Sequence, residues 1–123
     1  RYADHLVRGH GLVYNVGERV EGYTNLLWTL LLAGALRLGA PPEVSAPVLG
    51  IAAWLALVGI LGLRSWRRDR PGLFFPLAAA LVLLLEDFQV WATGGLETSL
   101  FTLRVTAGLL LASRPGARPR LAR

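Results

Sequence analysis

The stretch VSAPVLGIAAWLALVGILGL, Val44 to Leu63, decides the fold class: it carries no charged residue from end to end. About 20 consecutive apolar residues suffice for a helix to cross the hydrocarbon of a bilayer. Pro41–Pro42 and Glu43 precede the run, and Arg64, Arg67, Arg68 and Arg70 close it. Such a segment reads as a membrane helix with a basic end, and the rest of the chain conforms to that reading. From Asn25 to Leu63 the charges are Arg37 and Glu43, and from Leu73 to Leu85 there are none. Mean hydropathy is +0.48 and 17% of the 123 residues are charged, against roughly a quarter in soluble domains. The expected fold class is an all-α, integral membrane helical bundle with external juxtamembrane helices.

Working outward, three further apolar segments appear. Leu26 to Leu36 is extended by Arg37, Leu38 and Gly39, giving a helix over 25–39 that is short of a full span. Its length suits an interfacial or re-entrant helix. The spans are expected over 43–64, 73–86 and 98–112. Ahead of them, Tyr2, Ala3, Leu6, Val7 and His10 form a stripe at helical spacing, and Asp4 and Arg8 pair i,i+4 on the other side. Gly9 and Gly11 end this amphipathic helix, which is expected to lie on the membrane surface. The polar remainder to Thr24, with turns at Asn15–Val16–Gly17 and Glu21–Gly22, completes a loop over 1–24.

Net charge is +5, and all basic residues are Arg. Eight of the 13 fall at 64–70 and 114–123, beside apolar segments. That placement marks cytoplasmic ends by the positive-inside rule rather than a nucleic-acid surface. The loops 87–97 and, if the helix at 25–39 only dips, 1–24 then share the extracytoplasmic face. No Cys is present, which excludes disulfides, thiolate chemistry and Cys-ligated metals in this chain. No Gly-rich loop with Lys, nucleophile elbow or zinc motif occurs. The abrupt start at Arg1 and the Pro/Arg-rich end suggest a piece of a larger protein.

Two polar sets could carry chemistry. Tyr14, Asn15, Glu18, Arg19, Glu21, Tyr23, Thr24 and Asn25 combine a guanidinium for phosphate, carboxylates for sugar hydroxyls or a divalent cation, and rings that stack on sugar faces. The plainer alternative is a solvated turn with Tyr23 as an interfacial anchor. Downstream, Gly94 and Gly95 allow close backbone approach to a ligand, and Glu97 opens the last helix. A simple turn, with Glu97 as a dipole partner and Thr93 or Thr98 as the cap, explains the same residues. Arg104 lies seven residues after Glu97, where an ionisable group faces a partner, a wet cavity or an interface reached by snorkelling. His5 and His10, at i,i+5, do not share a helix face and read as surface or interfacial residues rather than metal ligands. Glu86 and Asp87 read as a polar stop at the membrane edge.

The stretch RYADHLVRGHGLVYNVGERVEGYTNLLW, Arg1 to Trp28, together with WATGGLET, Trp91 to Thr98, resembles the N-terminal part of GT-C-fold membrane glycosyltransferases. The nearest group holds the mycobacterial terminal arabinofuranosyltransferases and bacterial flagellar motor control proteins. Lipid A aminoarabinose transferases and protein mannosyltransferases are more distantly similar. The resemblance implies inverting transfer of a sugar from a polyprenyl-phosphate donor to an acceptor outside a bacterial cytoplasmic membrane. It also implies an acidic pair just before the Arg-Tyr-Ala motif as catalytic base, so Asp4 does not take that role and the chain alone is expected to be inactive. Tyr14, Asn15, Glu18, Arg19, Glu21, Tyr23, Thr24 and Asn25 would line the donor or acceptor site with Gly94, Gly95 and Glu97. Glu97 would be a sugar ligand or a ligand of a divalent cation, Mg or Mn. The competing expectation is a membrane assembly or scaffold protein, or part of a transporter. A transporter would place ionisable residues near the midplane of several helices, and Arg104 alone qualifies.

Overall fold

The computed structural model describes residues 1–18, 25–68 and 76–113, with the side chains of 66–68 left aside. It is all-α among these residues: α1 (Tyr2–Val7), α2 (Leu26–Arg37), α3 (Pro42–Arg68), α4 (Leu77–Leu84), α5 (Glu86–Thr93) and α6 (Thr98–Ala112).

α3 is the axis of the fold. α2, α4, α5 and α6 all pack on it, and α1 packs on α2. Its 27 residues reach about 40 Å at 1.5 Å per residue, whereas the 12 of α2 reach about 18 Å. Among the described residues, only α3 is by itself long and apolar enough to cross a bilayer, over Pro42–Ser65. α2 falls short of the roughly 30 Å hydrocarbon thickness.

The packing is that of a membrane helix bundle. Buried positions are mostly small: Ala3, Ala33, Ala53, Ala79, Ala92, Ser45 and Ser99, with Trp28 and Leu57 as the large ones. Large apolar side chains point outward instead, among them Leu38, Leu84, Val90, Phe101 and Leu109. Only 22% of the apolar window of α3 is buried. In water such exposure would be unfavourable at about 25 cal/mol per Å². In lipid, small residues let backbones approach while large ones meet acyl chains.

Glycine sets both helix ends that turn the chain. α1 closes with Gly9 at φ 82°, while the Gly9 and His10 amides bond back to the Leu6 and His5 carbonyls at 3.2 and 2.9 Å. α2 closes the same way at Gly39, φ 83°, with Gly39 and Ala40 amides on the Leu36 and Ala35 carbonyls, both 3.0 Å. This two-bond termination needs a left-handed residue, which glycine adopts without strain. It turns α2 directly into Pro42, the first residue of α3, where a missing N–H costs no hydrogen bond.

The stretch expected as one span over 73–86 differs from that expectation. In its described part, from Pro76, α4 ends at Leu85, which is extended at φ −72°, ψ 116°. α5 begins at once with Glu86 and Asp87 in its first turn, a placement the helix dipole favours. Gln89 Nε2 donates to the Leu83 carbonyl at 2.7 Å, satisfying an acceptor left free by the end of α4. Glu86 and Asp87 therefore start a helix rather than stop one. Most of the expected loop 87–97 is helical, and α5 meets α6 at 115°.

Candidate functional site

Three contacts place the Gly94–Glu97 turn at the N-terminal end of α3. Trp54 Nε1 donates to the Val82 carbonyl at 3.0 Å, fixing α4 on the middle of α3. One turn earlier Gly50 faces the backbone of Ala92: a Cβ there would overlap the Ala92 carbonyl oxygen and stand 3.2 Å from its carbon. Gly95 then lies against Ala46 and Pro47, its virtual Cβ 3.0 Å from the Ala46 Cβ and 3.4 Å from the Pro47 Cδ. Gly95 is also left-handed, φ 72°. The close approach that its missing side chain permits is to α3. Gly94 caps α5 through an amide bond to the Val90 carbonyl at 2.8 Å.

Glu97 occupies the N-cap position of α6 without a side-chain cap bond, and it is half-buried. Its carboxylate has no hydrogen-bond or ion-pair partner among the described residues. The threonines do not cap: Thr93 Oγ1 donates to the Gln89 carbonyl at 2.8 Å. Two buried hydroxyls, Ser45 Oγ and Ser99 Oγ, lie in the first turns of α3 and α6 with no partner among the described residues. Sequence reading passed over both, since a lone Ser in an apolar run gives no periodic signal. Arg104 is exposed on α6, beside the outward-facing Phe101 and Val105.

The first polar set is built by the turn of the chain at Gly9 and Gly11. Tyr14 is covered on one side by the Arg1 guanidinium, 4.6 Å from its ring centroid. The Tyr2 ring packs against it at 5.6 Å and 55°. Tyr14 thus keeps only part of its surface for a ligand. Asn15 and Glu18 close a turn: the Glu18 amide donates to the Asn15 carbonyl at 3.2 Å, and Asn15 Nδ2 donates to Glu18 Oε2 at 3.0 Å. Gly17, φ 96°, takes the third position, as a type II turn requires. Asn25 occupies the N-cap position of α2 without a side-chain cap bond; the Thr29 Oγ1 donates to its carbonyl at 3.2 Å. Arg19, Glu21, Tyr23 and Thr24 lie outside the described residues.

No hydrogen bond, ion pair or ring contact joins the two sets among the described residues. What connects them is α2, about 18 Å of helix that runs from Asn25 to the turn before α3. Among the described residues no three His, Asp or Glu side chains cluster as metal ligands. Asp4 is held by Arg8 Nε at 2.9 Å, an exposed i,i+4 pair.

Comparison with known proteins gives two relatives. The chain is 33% identical over 108 residues to the terminal β-(1→2)-arabinofuranosyltransferase of Mycobacterium tuberculosis, covering 81% of this chain and 17% of that protein. It is 30% identical over 119 residues to the terminal β-(1→2)-arabinofuranosyltransferase of Corynebacterium glutamicum, covering 90% of this chain and 17% of that protein. The chain is therefore homologous to a segment of these enzymes and spans about a sixth of their length. No protein-family model matches the chain, and no solved structure matches it.

Proposed function

We propose that this chain, homologous to a segment of terminal arabinofuranosyltransferases, is part of a membrane glycosyltransferase of the GT-C type. In this reading it presents two polar segments to an arabinofuranosyl or related polyprenyl-phosphate donor, on the extracytoplasmic face of a bacterial cytoplasmic membrane. The observation that carries the proposal is similarity to two terminal β-(1→2)-arabinofuranosyltransferases across 81% and 90% of the chain. The shortness of α2 supports it physically. A helix of 12 residues is too short to cross the hydrocarbon, which supports the reading that 1–18 and 94–97 share one side.

The reaction asks for a carboxylate that takes a proton from the acceptor hydroxyl as that oxygen attacks the anomeric carbon and polyprenyl phosphate leaves. Neither of the described carboxylates in the N-terminal segment, Asp4 and Glu18, suits the role of base. Asp4 is engaged by Arg8, and Glu18 accepts from Asn15. The base is assigned to the acidic pair expected ahead of Arg1. Glu97, half-buried and without a partner among the described residues, accepts hydrogen bonds from sugar hydroxyls. Arg19 stabilises charge on the departing phosphate. Asn15, Glu18 and Tyr14 contact the acceptor or donor sugar, and Glu21, Tyr23, Thr24 and Asn25 are assigned the same role. A divalent cation such as Mg or Mn would screen the phosphate if bound, but Glu97 would need oxygen ligands beyond the described residues to hold it.

The test is Glu97→Gln in the full-length protein, with arabinofuranosyl transfer from a polyprenyl-phosphate donor followed in isolated membranes. Transfer should fall at least about a hundredfold, as for loss of a group acting in the transition state, with expression unchanged. Undiminished transfer would remove Glu97 from the site.

A further inference from the structure

Beyond these segments, the fold brings together a pair of metal-ligating side chains that helical spacing would separate. Residues five apart on a continuous helix point about 140° from one another. Here α1 stops first: Gly9, φ 82°, turns the chain, and the His10 amide bonds to the His5 carbonyl at 2.9 Å. The two imidazoles then meet, with ring centroids 5.9 Å apart and planes at 90°.

Val13 adds a second constraint. His5 Nδ1 lies 2.9 Å from its carbonyl oxygen. A carbonyl only accepts, so Nδ1 carries the proton and Nε2 keeps its lone pair. A backbone carbonyl on one ring nitrogen is the outer-shell arrangement that orients a metal-binding imidazole and raises its basicity. Asp4, the adjacent carboxylate, is already held by Arg8. An ion about 2.1 Å from one nitrogen of each ring sets two ligating imidazole centroids roughly 5 to 6.5 Å apart, a range that contains the observed separation.

We propose that His5 and His10 form a two-point site for a divalent transition-metal ion, zinc or copper, with its other positions open to water or an exogenous ligand. Imidazole selects such ions, whereas Mg and Ca take oxygen donors. The site is therefore separate from any oxygen-ligated cation near Glu97, and its existence does not depend on the glycosyltransferase reading. With the ion bound, the end of α1 is tied to the segment that leads to Tyr14 and Asn15. Metal occupancy would thereby stiffen one wall of the proposed sugar site.

The experiment uses the full-length protein without a histidine tag, stripped by chelation and titrated with zinc chloride. Exposed His10 gives the cleaner variant, because His5 also supports Val13. Wild type should bind one more equivalent than His10→Gln, or bind it at least about tenfold more tightly. Zinc should raise the melting temperature of the wild type and not of the variant. Both proteins should melt alike without metal, and Mg should not compete. With copper, the wild-type spin-resonance spectrum should gain an imidazole nitrogen relative to His10→Gln. Equal zinc binding by the two proteins, or displacement of the ion by Mg, would overturn the assignment.

Discussion

Replacing Gly50 with alanine places one methyl group where α5 lies closest to α3. Its Cβ would overlap the Ala92 carbonyl oxygen and stand 3.2 Å from the carbonyl carbon and 3.5 Å from the Ala92 Cα. A carbon facing a carbonyl oxygen ordinarily stands at about 3.3–3.6 Å, so α5 must retreat by on the order of 1 Å. The obstruction is backbone, so no rotamer change relieves it. Gly50 and Ala92 are both buried, and overpacking of this kind costs about 1–3 kcal/mol. Alanine returns roughly 1 kcal/mol of helix propensity, leaving a net loss of about 1 kcal/mol. Gly59→Ala is the matched control: it is the same substitution on the same helix, with nothing within 4 Å of the new Cβ. It should leave the protein as stable or stabilise it by up to about 1 kcal/mol. Equilibrium unfolding of both variants in detergent would measure the difference, expected near the overpacking cost itself, about 2 kcal/mol, because the propensity gain is common to both. Equal midpoints for the two would refute the claim that backbone contact at Gly50 seats α5.

Further outcomes follow from the same contacts. Gly95→Ala combines a left-handed backbone, φ 72°, with a 3.0 Å approach to the Ala46 Cβ, and should cost at least about 1 kcal/mol in the same unfolding assay. Trp54→Phe keeps the ring but removes the donor to Val82; a loss of about 1 kcal/mol is expected, and an unchanged midpoint would show that α4 is held by packing alone.

Much of the frame was legible in the residues, because a bilayer demands long uncharged runs and charges mark their ends. α3 stands out for that reason, and α6 is bounded by Glu97 and the Arg-rich tail. α2 was legible as a short helix, since Gly39 and Pro41–Pro42 stop it. The break at Leu85 was not visible: an uninterrupted leucine run carries no sign of where a helix ends. Yet Glu86–Asp87 was a helix-start signal that was read as a stop, because a charge pair after an apolar run serves either purpose. Helical spacing separates His5 from His10, but Gly9 ends the helix between them, so the i,i+5 offset does not apply and the rings meet. The cover that Arg1 and Tyr2 place on Tyr14 depends on three-dimensional return of the chain, and no spacing rule reports it. For Gly94 and Gly95 the sequence indicated close backbone approach but could not say to what; for Gly95 it is α3.

Two distant polar segments share one side of the membrane in the proposed topology because α2 is too short to cross it. Cysteine labelling in intact cells tests this directly, in a chain that contains no Cys of its own. Val16→Cys and Leu96→Cys replace exposed residues in the two segments, and Ser113→Cys replaces an exposed residue just past the far end of α6. A membrane-impermeant thiol reagent should modify the first two in whole cells and the third only after permeabilisation. Labelling of Leu96→Cys from outside while Val16→Cys reacts only in lysed cells would mean that α2 crosses the bilayer, and the shared site would be lost.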